Sequence, residues 1–251
     1  MNGCYCITRN IRLLILVLFV AGSGFSLTAW NFFTPDSTPV QPYIPQPSLP
    51  FFTLLINPAG DAKNAGREID GTYERGITMQ CATELKKALE QRIPGIRVVL
   101  TRFPGEVVQP LQNASFANRL KIDLYLSIHF FEHTEKILPL YFYHLLYNPI
   151  IDRWDKAGSE LEFLPYDKAY TLSIKKTVAY GTDLFQHAKK IEGTYGVRCH
   201  PLKGIPFKPL VGIIAPAVAL ECGIRKKDDW RPLIPLFVAM LEPLVTKMRS
   251  S

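Results

Sequence analysis

A regular alternation of apolar and polar residues runs through the stretch Lys121–Phe130. Every second position from Ile122 to Ile128 is apolar, and Asp, Tyr and Ser fill the positions between them. This period of two predicts a β-strand. His129 then stands at the carboxyl end of that strand. Ligands and metals bind beyond the carboxyl ends of strands in open α/β sheets, so His129 is the first candidate functional residue.

The rest of the chain alternates short apolar runs with segments of helical periodicity, and Pro58–Tyr73 is polar and rich in loop residues. This alternation predicts an α/β fold, in which helices cover both faces of one sheet. The further expected strands are Phe52–Asn57, Ile96–Leu100, Leu138–Tyr147, Pro209–Ile214 and Ala217–Glu221. The expected helices run from Glu74 to the Pro94-Gly95 pair, and over Leu111–Leu120, Tyr170–Glu192 and Pro232–Met248.

Residues 1–30 have the pattern of a signal peptide or an amino-terminal membrane anchor. Arg9 and Arg12 precede the apolar run Leu13–Ala21, and no acidic residue falls within this segment. We favour the uncleaved anchor because no small-x-small cleavage site is evident. Positive charge on the amino side of the run predicts that the following chain lies outside the cytoplasm.

Residues 31–50 form a proline-rich linker, in which six prolines fall between Pro35 and Pro50. This composition is typical of an extended, semi-rigid tether, and a plain disordered connector stays open as the alternative. Residues 51–251 then supply the expected α/β domain.

Charge and composition restrict the partners. The net charge is +7, which favours nucleic acid, a membrane surface or an acidic cell-wall polymer. We exclude nucleic acid, because the chain has no Lys/Arg-rich block with interleaved aromatic residues. A partnership with a membrane is expected only through the amino-terminal segment.

The cysteines do not predict a disulfide framework. Two of the five precede the apolar run, and Cys81, Cys199 and Cys222 are widely spaced, although one disulfide among them stays open. Cys199 and His200 are adjacent, and neighbours on a strand point to opposite faces. A Cys/His nucleophilic pair is therefore not expected.

The segment His129–His133 matches the H-x-x-E-H pattern of inverted zinc proteases. That chemistry needs both histidines on one face of a helix. The alternation before His129 predicts a strand instead, so we give this motif little weight.

Several segments together resemble the zinc-dependent N-acetylmuramoyl-L-alanine amidases of the type 3 catalytic domain. The resemblance implies a single domain with a phosphorylase/hydrolase-like amidase fold and a mixed, mostly parallel sheet. It also implies cleavage of the amide between the lactyl group of muramic acid and L-alanine in peptidoglycan. The matching segments are 56–66, the Tyr-Glu-Arg that opens the first helix, 98–102, 116–129 and 215–224.

The resemblance implies a zinc ion with Glu74 and His129 among its ligands and Glu221 as the general base. Three protein ligands and one open position suit a hydrolytic zinc, whose bound water is acidified. Glu74 has a simpler interpretation as a first-turn acid that complements the helix dipole. Glu221 ends an apolar strand, where a carboxylate needs a specific reason to be.

The chain departs from the family pattern at Gly60, which falls where the family has its first zinc histidine. Glycine offers no side-chain ligand. Asp61 is the candidate replacement, and Glu132 and His133 are further stand-ins.

The sequence is therefore compatible with two functions. The first is an exported, periplasmic or cell-envelope peptidoglycan amidase, held at the inner membrane if the anchor is retained. The second is a catalytically inactive amidase-fold protein that binds or regulates at the cell wall. The feature that separates them is whether a side chain fills the place vacated at Gly60.

Overall fold

The computed structural model describes residues 51–109, 111–146 and 165–249. The predictions for the anchor and the linker lie outside these residues. The strands are β1 (Phe52–Pro58), β2 (Glu68–Ile69), β3 (Thr72–Tyr73), β4 (Ile96–Leu100), β5 (Leu124–Glu132), β6 (Leu138–Leu145), β7 (Val197–Cys199), β8 (Lys203–Ile205) and β9 (Ala217–Ile224). The α-helices are α1 (Glu74–Arg92), α2 (Gln112–Leu120), α3 (Ile174–Tyr195) and α4 (Ile234–Arg249).

Seven of these strands form one mixed sheet in the order β4-β1-β5-β9-β6-β7, with β8 also paired to β6. The first four strands of this order run parallel to one another. β6 is antiparallel to β9, and β7 and β8 run parallel to β6. The predicted α/β class and the mixed, mostly parallel sheet are confirmed. The short pair β2 and β3 forms a separate hairpin inside the expected loop.

The larger core lies between one face of the sheet and helices α1, α3 and α4. Helix α1 shows how the sequence builds this layer. Its apolar positions Ile77, Cys81, Leu85 and Leu89 recur at helical spacing, and all four are buried. The helix ends before Pro94, and Gly95 adopts the left-handed backbone that allows the chain to turn into β4.

The opposite face of the sheet carries a smaller core. Leu55 and Tyr125 of the sheet pack there with Ala114 and Ala117 of α2. Helices therefore cover both faces, as predicted. The alternation in β5 explains the two cores, because its aliphatic positions enter the larger core while Tyr125 and Ser127 point to the smaller one.

The strand predicted over Pro209–Ile214 is wrong. The structure has a 3₁₀ turn at Lys208–Leu210, followed by a turn at Val211 and Gly212. Pro209 has no N–H for a sheet ladder, and Gly212 has a φ of +83°, which interrupts an extended backbone. The segment is apolar because Leu210 and Ile213 are buried in the smaller core.

Cys81, Cys199 and Cys222 are free and buried, so no disulfide links these three described cysteines. Burial raises the pKa of Cys199 to about 12, with the charge of Glu192 adding to the effect. A neutral, buried thiol of this kind is a poor nucleophile. The expectation that Cys199 and His200 form no nucleophilic pair agrees with this placement.

Helices of the length and apolar character needed to cross a membrane do not occur within the described residues.

Candidate active site

Strands β5 and β9 bring two of the expected site residues together. The expectation that His129 and Glu221 end their strands is wrong, because each strand continues for three more residues. His129 and Glu221 are direct partners in the parallel pairing of these strands. Residues paired in this way project from the same face of a sheet. The next strand, β6, pairs Tyr141 with Glu221 and Tyr143 with Ala219, so both tyrosines share that face. We call this set of positions the site face.

Glu74 is the first residue of α1, and its side chain is held by backbone donors. The N–H of Phe130 donates to Oε1 at 3.0 Å, and the N–H of Arg67 donates to Oε2 at 3.2 Å. Only 4% of the residue is exposed. Burial acts to raise the pKa of Glu74, but the hydrogen bonds from His129 and from the backbone N–H groups of Arg67 and Phe130 outweigh it, so the pKa lies below its ordinary value.

His129 is fixed at both ring nitrogens. Nδ1 lies 3.4 Å from Oε1 of Glu74, and Nε2 lies 2.8 Å from Oγ of Ser127. A carboxylate only accepts hydrogen bonds, so these partners assign the proton of the neutral ring to Nδ1. Nε2 then accepts the hydroxyl proton of Ser127.

The hydrogen bonds continue inward from Ser127. The amide of Asn57 donates to Oγ of Ser127 at 2.9 Å, and Asn57 Oδ1 accepts from Thr101 and Asn113, each at 2.9 Å. Every bond in this chain therefore points toward Glu74. Sequence reasoning missed Asn57 and Ser127, which are direct partners in the pairing of β1 and β5. Their small polar side chains within otherwise apolar strands were the available signal.

Glu221 is held by side chains instead of backbone. Nη2 of Arg67 lies 2.7 Å from its Oε1, and Nη1 of Arg67 donates to the carbonyl oxygen of Phe130 at 3.2 Å. Tyr143 also bonds to Glu221. Burial, followed by the charge and hydrogen bond of Glu221, raises the pKa of Tyr143 to about 12. The hydroxyl of Tyr143 therefore stays protonated and donates to the carboxylate.

Sequence reasoning also missed Arg67. It follows directly after the segment 56–66, and no local pattern distinguishes it from an ordinary solvated arginine. Its role emerges only from the fold, because Arg67 precedes the β2–β3 hairpin while Glu221 lies on β9.

Asp61 organises its own loop. Its carboxylate accepts the N–H groups of Lys63 at 2.7 Å, Asn64 at 2.6 Å and Val108 at 3.2 Å. Burial acts to raise its pKa, and bonds from Asn64, Lys63 and Val108 lower it below the ordinary value. The structure does not bring Asp61 into a three-residue group with Glu74 and His129.

Gly60 sits in the left-handed region with a φ of +74°. A Cβ added there would lie 2.7 Å from Cβ of Arg75 and 3.0 Å from the carbonyl oxygen of Asn64. Both the backbone and the space therefore disfavour a histidine at this position. No side chain takes over from Gly60 within the described part of the site.

Glu132 and His133 lie at the end of β5, not on a helix. With a rise of roughly 3.3 Å per residue, an extended segment separates positions i and i+4 by about 13 Å. His129 and His133 therefore cannot share a metal in the manner of the H-x-x-E-H motif.

An open cleft of about 580 Å³ lies beside His129. Its walls include Asn57, Gly60 and Asn113, together with the cationic side chains of Lys63 and Lys208. The cleft therefore offers hydrogen-bond partners and positive charge to a ligand that approaches His129.

A row of rings extends along the site face from His129. Phe207 lies between His129 and Tyr143, with ring centroids 4.9 Å and 5.9 Å away. Tyr143 stacks with Tyr141 at 6.0 Å, and Tyr141 stacks with His200 at 4.3 Å. We call these five side chains the aromatic row.

Fold and site together define a hydrolase-type α/β domain with its polar groups on one face of neighbouring parallel strands. A family model described as N-acetylmuramoyl-L-alanine amidase matches residues 54–233. This match spans more than half of the chain, and the chain therefore belongs to the N-acetylmuramoyl-L-alanine amidase family, as the resemblance predicted.

Individual relatives agree with this assignment. The chain is 29% identical over 76 residues to N-acetylmuramoyl-L-alanine amidase CwlM of Bacillus licheniformis, a match covering 30% of each protein. The chain thus spans less than a third of the length of this curated relative.

Solved structures share the fold. The catalytic domain of the amidase CwlV from Bacillus (Paenibacillus) polymyxa var. colistinus superposes with a TM-score of 0.55 at 16% identity, covering 77% of this chain and 98% of that one. An N-acetylmuramoyl-L-alanine amidase from Clostridium difficile 630 gives 0.58 at 16% identity, covering 79% and 98%.

The residues of this chain do not fit the zinc that the family implies. No group of three His, Cys, Asp or Glu side chains able to hold a metal ion occurs in the described ranges. Both oxygens of Glu74 and both ring nitrogens of His129 already have partners within the protein. Three protein ligands are the norm for a catalytic zinc.

Proposed function

We propose that this chain is a peptidoglycan hydrolase that cleaves the amide bond between the lactyl group of muramic acid and L-alanine. The observation that carries the proposal is the register pairing of His129 with Glu221, which puts a carboxylate on the site face. Family membership favours this activity over an inactive wall-binding domain.

Glu221 is the proposed general base. Its side chain is 13% exposed, so it can reach a bound water while Tyr143 keeps it oriented. The carboxylate takes a proton as the water oxygen attacks the carbonyl carbon. The carbon–nitrogen bond then breaks, and the same proton passes to the nitrogen of alanine. The products are a lactyl carboxylate and a free peptide amine.

The cleft and the aromatic row provide the proposed substrate surface. Peptidoglycan stem peptides carry carboxylates, which Lys63 and Lys208 can pair with. The aromatic row offers apolar ring faces next to the reacting groups. A mixed surface of this kind suits a polymer with both sugar and acidic peptide parts.

Zinc was expected from the resemblance, with Glu74 and His129 as ligands and Asp61 as the substitute for the missing histidine. The carboxylate of Asp61 is occupied by hydrogen bonds within its own loop, and Gly60 has no side chain to bind a metal. The proposed mechanism therefore uses protein groups alone. Glu74 and His129 act in it as a fixed wall of the site, beside which the water and the amide are placed.

The family's cell-wall substrate implies action outside the cell or in the envelope. We propose the finer location given by the amino-terminal segment, which is an anchored domain on the outer side of the inner membrane. A reporter that is active only in the periplasm, fused after Ser251, tests this location. Reporter activity confined to the cytoplasm would contradict it.

The activity is tested with the full chain and soluble disaccharide-peptides of known structure. We expect mass spectrometry to detect a released stem peptide with a free amino-terminal alanine, together with the peptide-free disaccharide. Glu221→Gln is the control, because it preserves shape and removes the base. Tight binding to isolated cell walls without any release would support the inactive alternative instead.

A further inference from the structure

We infer that Arg67 is the fixed cation of this site, and that its guanidinium supplies the positive charge that a metal ion would supply in the family. The site would then work without a metal ion. This inference rests on the proposed function, since it names the positively charged group for the same reaction.

The first support is the position of Arg67 between the two carboxylates of the site. Its backbone N–H bonds to Glu74 at 3.2 Å, and its Nη2 lies 2.7 Å from Glu221. Its Nη1 donates to the carbonyl oxygen of Phe130, the residue after His129. Arg67 therefore bridges the gap between the Glu74–His129 pair and the proposed base.

The second support is that the side chains expected to bind a metal already have partners in the protein. Glu74 accepts two backbone N–H groups, and His129 is engaged at Nδ1 and Nε2. Ligation of a metal by His129 would need one of its two ring contacts to break. Each replacement would cost the free energy of a buried hydrogen bond, and it would leave a buried donor without a partner.

The third support is charge. A guanidinium is a permanent cation in proteins, and Glu221 is largely buried, where an unpaired carboxylate is unfavourable. The guanidinium therefore balances Glu221 permanently. A divalent cation brought into the site would be repelled by the guanidinium.

Arg67 can also perform the electrostatic part of the reaction. Half of its side chain is exposed, so N–H groups beyond the two bonds above can reach a substrate carbonyl. As the water oxygen attacks and Glu221 takes the proton, negative charge develops on the carbonyl oxygen. Guanidinium donors stabilise this oxyanion until the carbon–nitrogen bond breaks and the proton passes to nitrogen.

The test compares the full-length chain with Arg67→Gln, Arg67→Lys and the matched control Arg225→Gln. Arg225 is also paired with a carboxylate, Asp229, and its side chain is 49% exposed against 50% for Arg67. Zinc binding is measured by calorimetry and by metal content after dialysis. Hydrolysis of disaccharide-peptides is measured with and without a chelator, and circular dichroism checks the fold.

We expect the parent chain and the Arg225→Gln control to retain no stoichiometric zinc, and their hydrolysis to resist chelation. Arg67→Gln should bind zinc more tightly than either protein and lose about 10²–10³-fold in kcat, the range seen when an oxyanion donor is removed. Arg67→Lys keeps the charge, so it should exclude zinc like the parent and retain part of the activity.

Three results would overturn the inference. These are stoichiometric zinc in the parent chain, activity that a chelator abolishes and zinc restores, and equal zinc affinity in Arg67→Gln and Arg225→Gln. If neither the parent chain nor any variant hydrolyses the substrate, the proposed function is wrong. The order of zinc affinities among these proteins then tests the inference about Arg67 alone. If Arg67→Gln does not fold, zinc binding by Arg67→Lys above the parent level would count against the role of charge.

Discussion

Two glutamates of the same site are held in different ways. Glu74 is fixed by the backbone N–H groups of Arg67 and Phe130 and is 4% exposed. Glu221 is fixed by the side chains of Arg67 and Tyr143. Backbone donors cannot move without the strand that carries them, whereas side chains can rotate. Glu74 therefore behaves as part of the scaffold, and Glu221 has the freedom that proton transfer needs.

The comparison predicts its largest effect at Glu221. We expect Glu221→Gln to lose about 10²–10⁴-fold in kcat/KM for disaccharide-peptides, because the base is gone, while the melting temperature stays near that of the parent. Glu132→Gln, at the exposed end of β5, is the control and should be fully active. Full activity of Glu221→Gln would remove this residue from the mechanism.

The next effect concerns Glu74 and is one of stability. Glu74→Ala leaves the buried N–H of Phe130 without an acceptor, which should lower the free energy of unfolding by about 1–3 kcal/mol. Glu84→Ala changes an exposed residue of the same helix and should cost far less. Denaturant unfolding measures both. Equal losses in the two variants would show that Glu74 is not a structural anchor.

Acid should weaken the fold through the same carboxylate. The pKa of Glu74 is lower in the folded chain than in the unfolded chain, so its stabilisation is complete above the unfolded pKa. It is lost as the pH falls through the lowered folded value. Glu74→Gln should therefore show a shallower fall of unfolding free energy below about pH 5, leaving the contributions of Asp61 and Glu192, whose pKa values are also lowered. Identical slopes in the two proteins would contradict this assignment.

The smallest effect is expected at Tyr143. Tyr143→Phe removes one hydrogen bond to Glu221, worth about 0.5–1.5 kcal/mol, which corresponds to a loss of activity of roughly 2- to 10-fold. Tyr141→Phe is the neighbouring control, because it keeps the ring of the aromatic row. A loss as large as that of Glu221→Gln would mean that Tyr143 takes part directly in proton transfer.

Local patterns in the sequence predicted most of the scaffold. The period of two in β5 and the helical spacing in α1 each reflect one element packing on one core, and such patterns are visible along the chain. The strand prediction for Pro209–Ile214 was wrong because a segment buried against a sheet has the same apolar composition as a strand within the sheet. Composition alone does not reveal which backbone groups find a ladder partner.

The sequence offered candidate site residues where a polar side chain starts a helix or falls late in an apolar strand, as Glu74, His129 and Glu221 do. It offered none where a role depends on a distant partner. Ser127 becomes informative only when its hydroxyl meets Asn57, 70 positions away. The role of Arg67 is recognisable only from its contact with Glu221. Both contacts join residues that are far apart in the sequence, so no local pattern reveals them.

The pairing of His129 with Glu221 also means that the register of β9 against β5 decides whether the proposed base lies on the site face. Side chains alternate between faces, so sliding β9 by one residue against β5 would turn Glu221 into the larger core. Leu220 or Cys222 would then occupy its place on the site face. Deletion of one residue within Val218–Leu220 would thus remove the carboxylate from the site face although Glu221 itself is unchanged. Insertions or deletions before Ala217 would keep the number of residues between the start of β9 and Glu221.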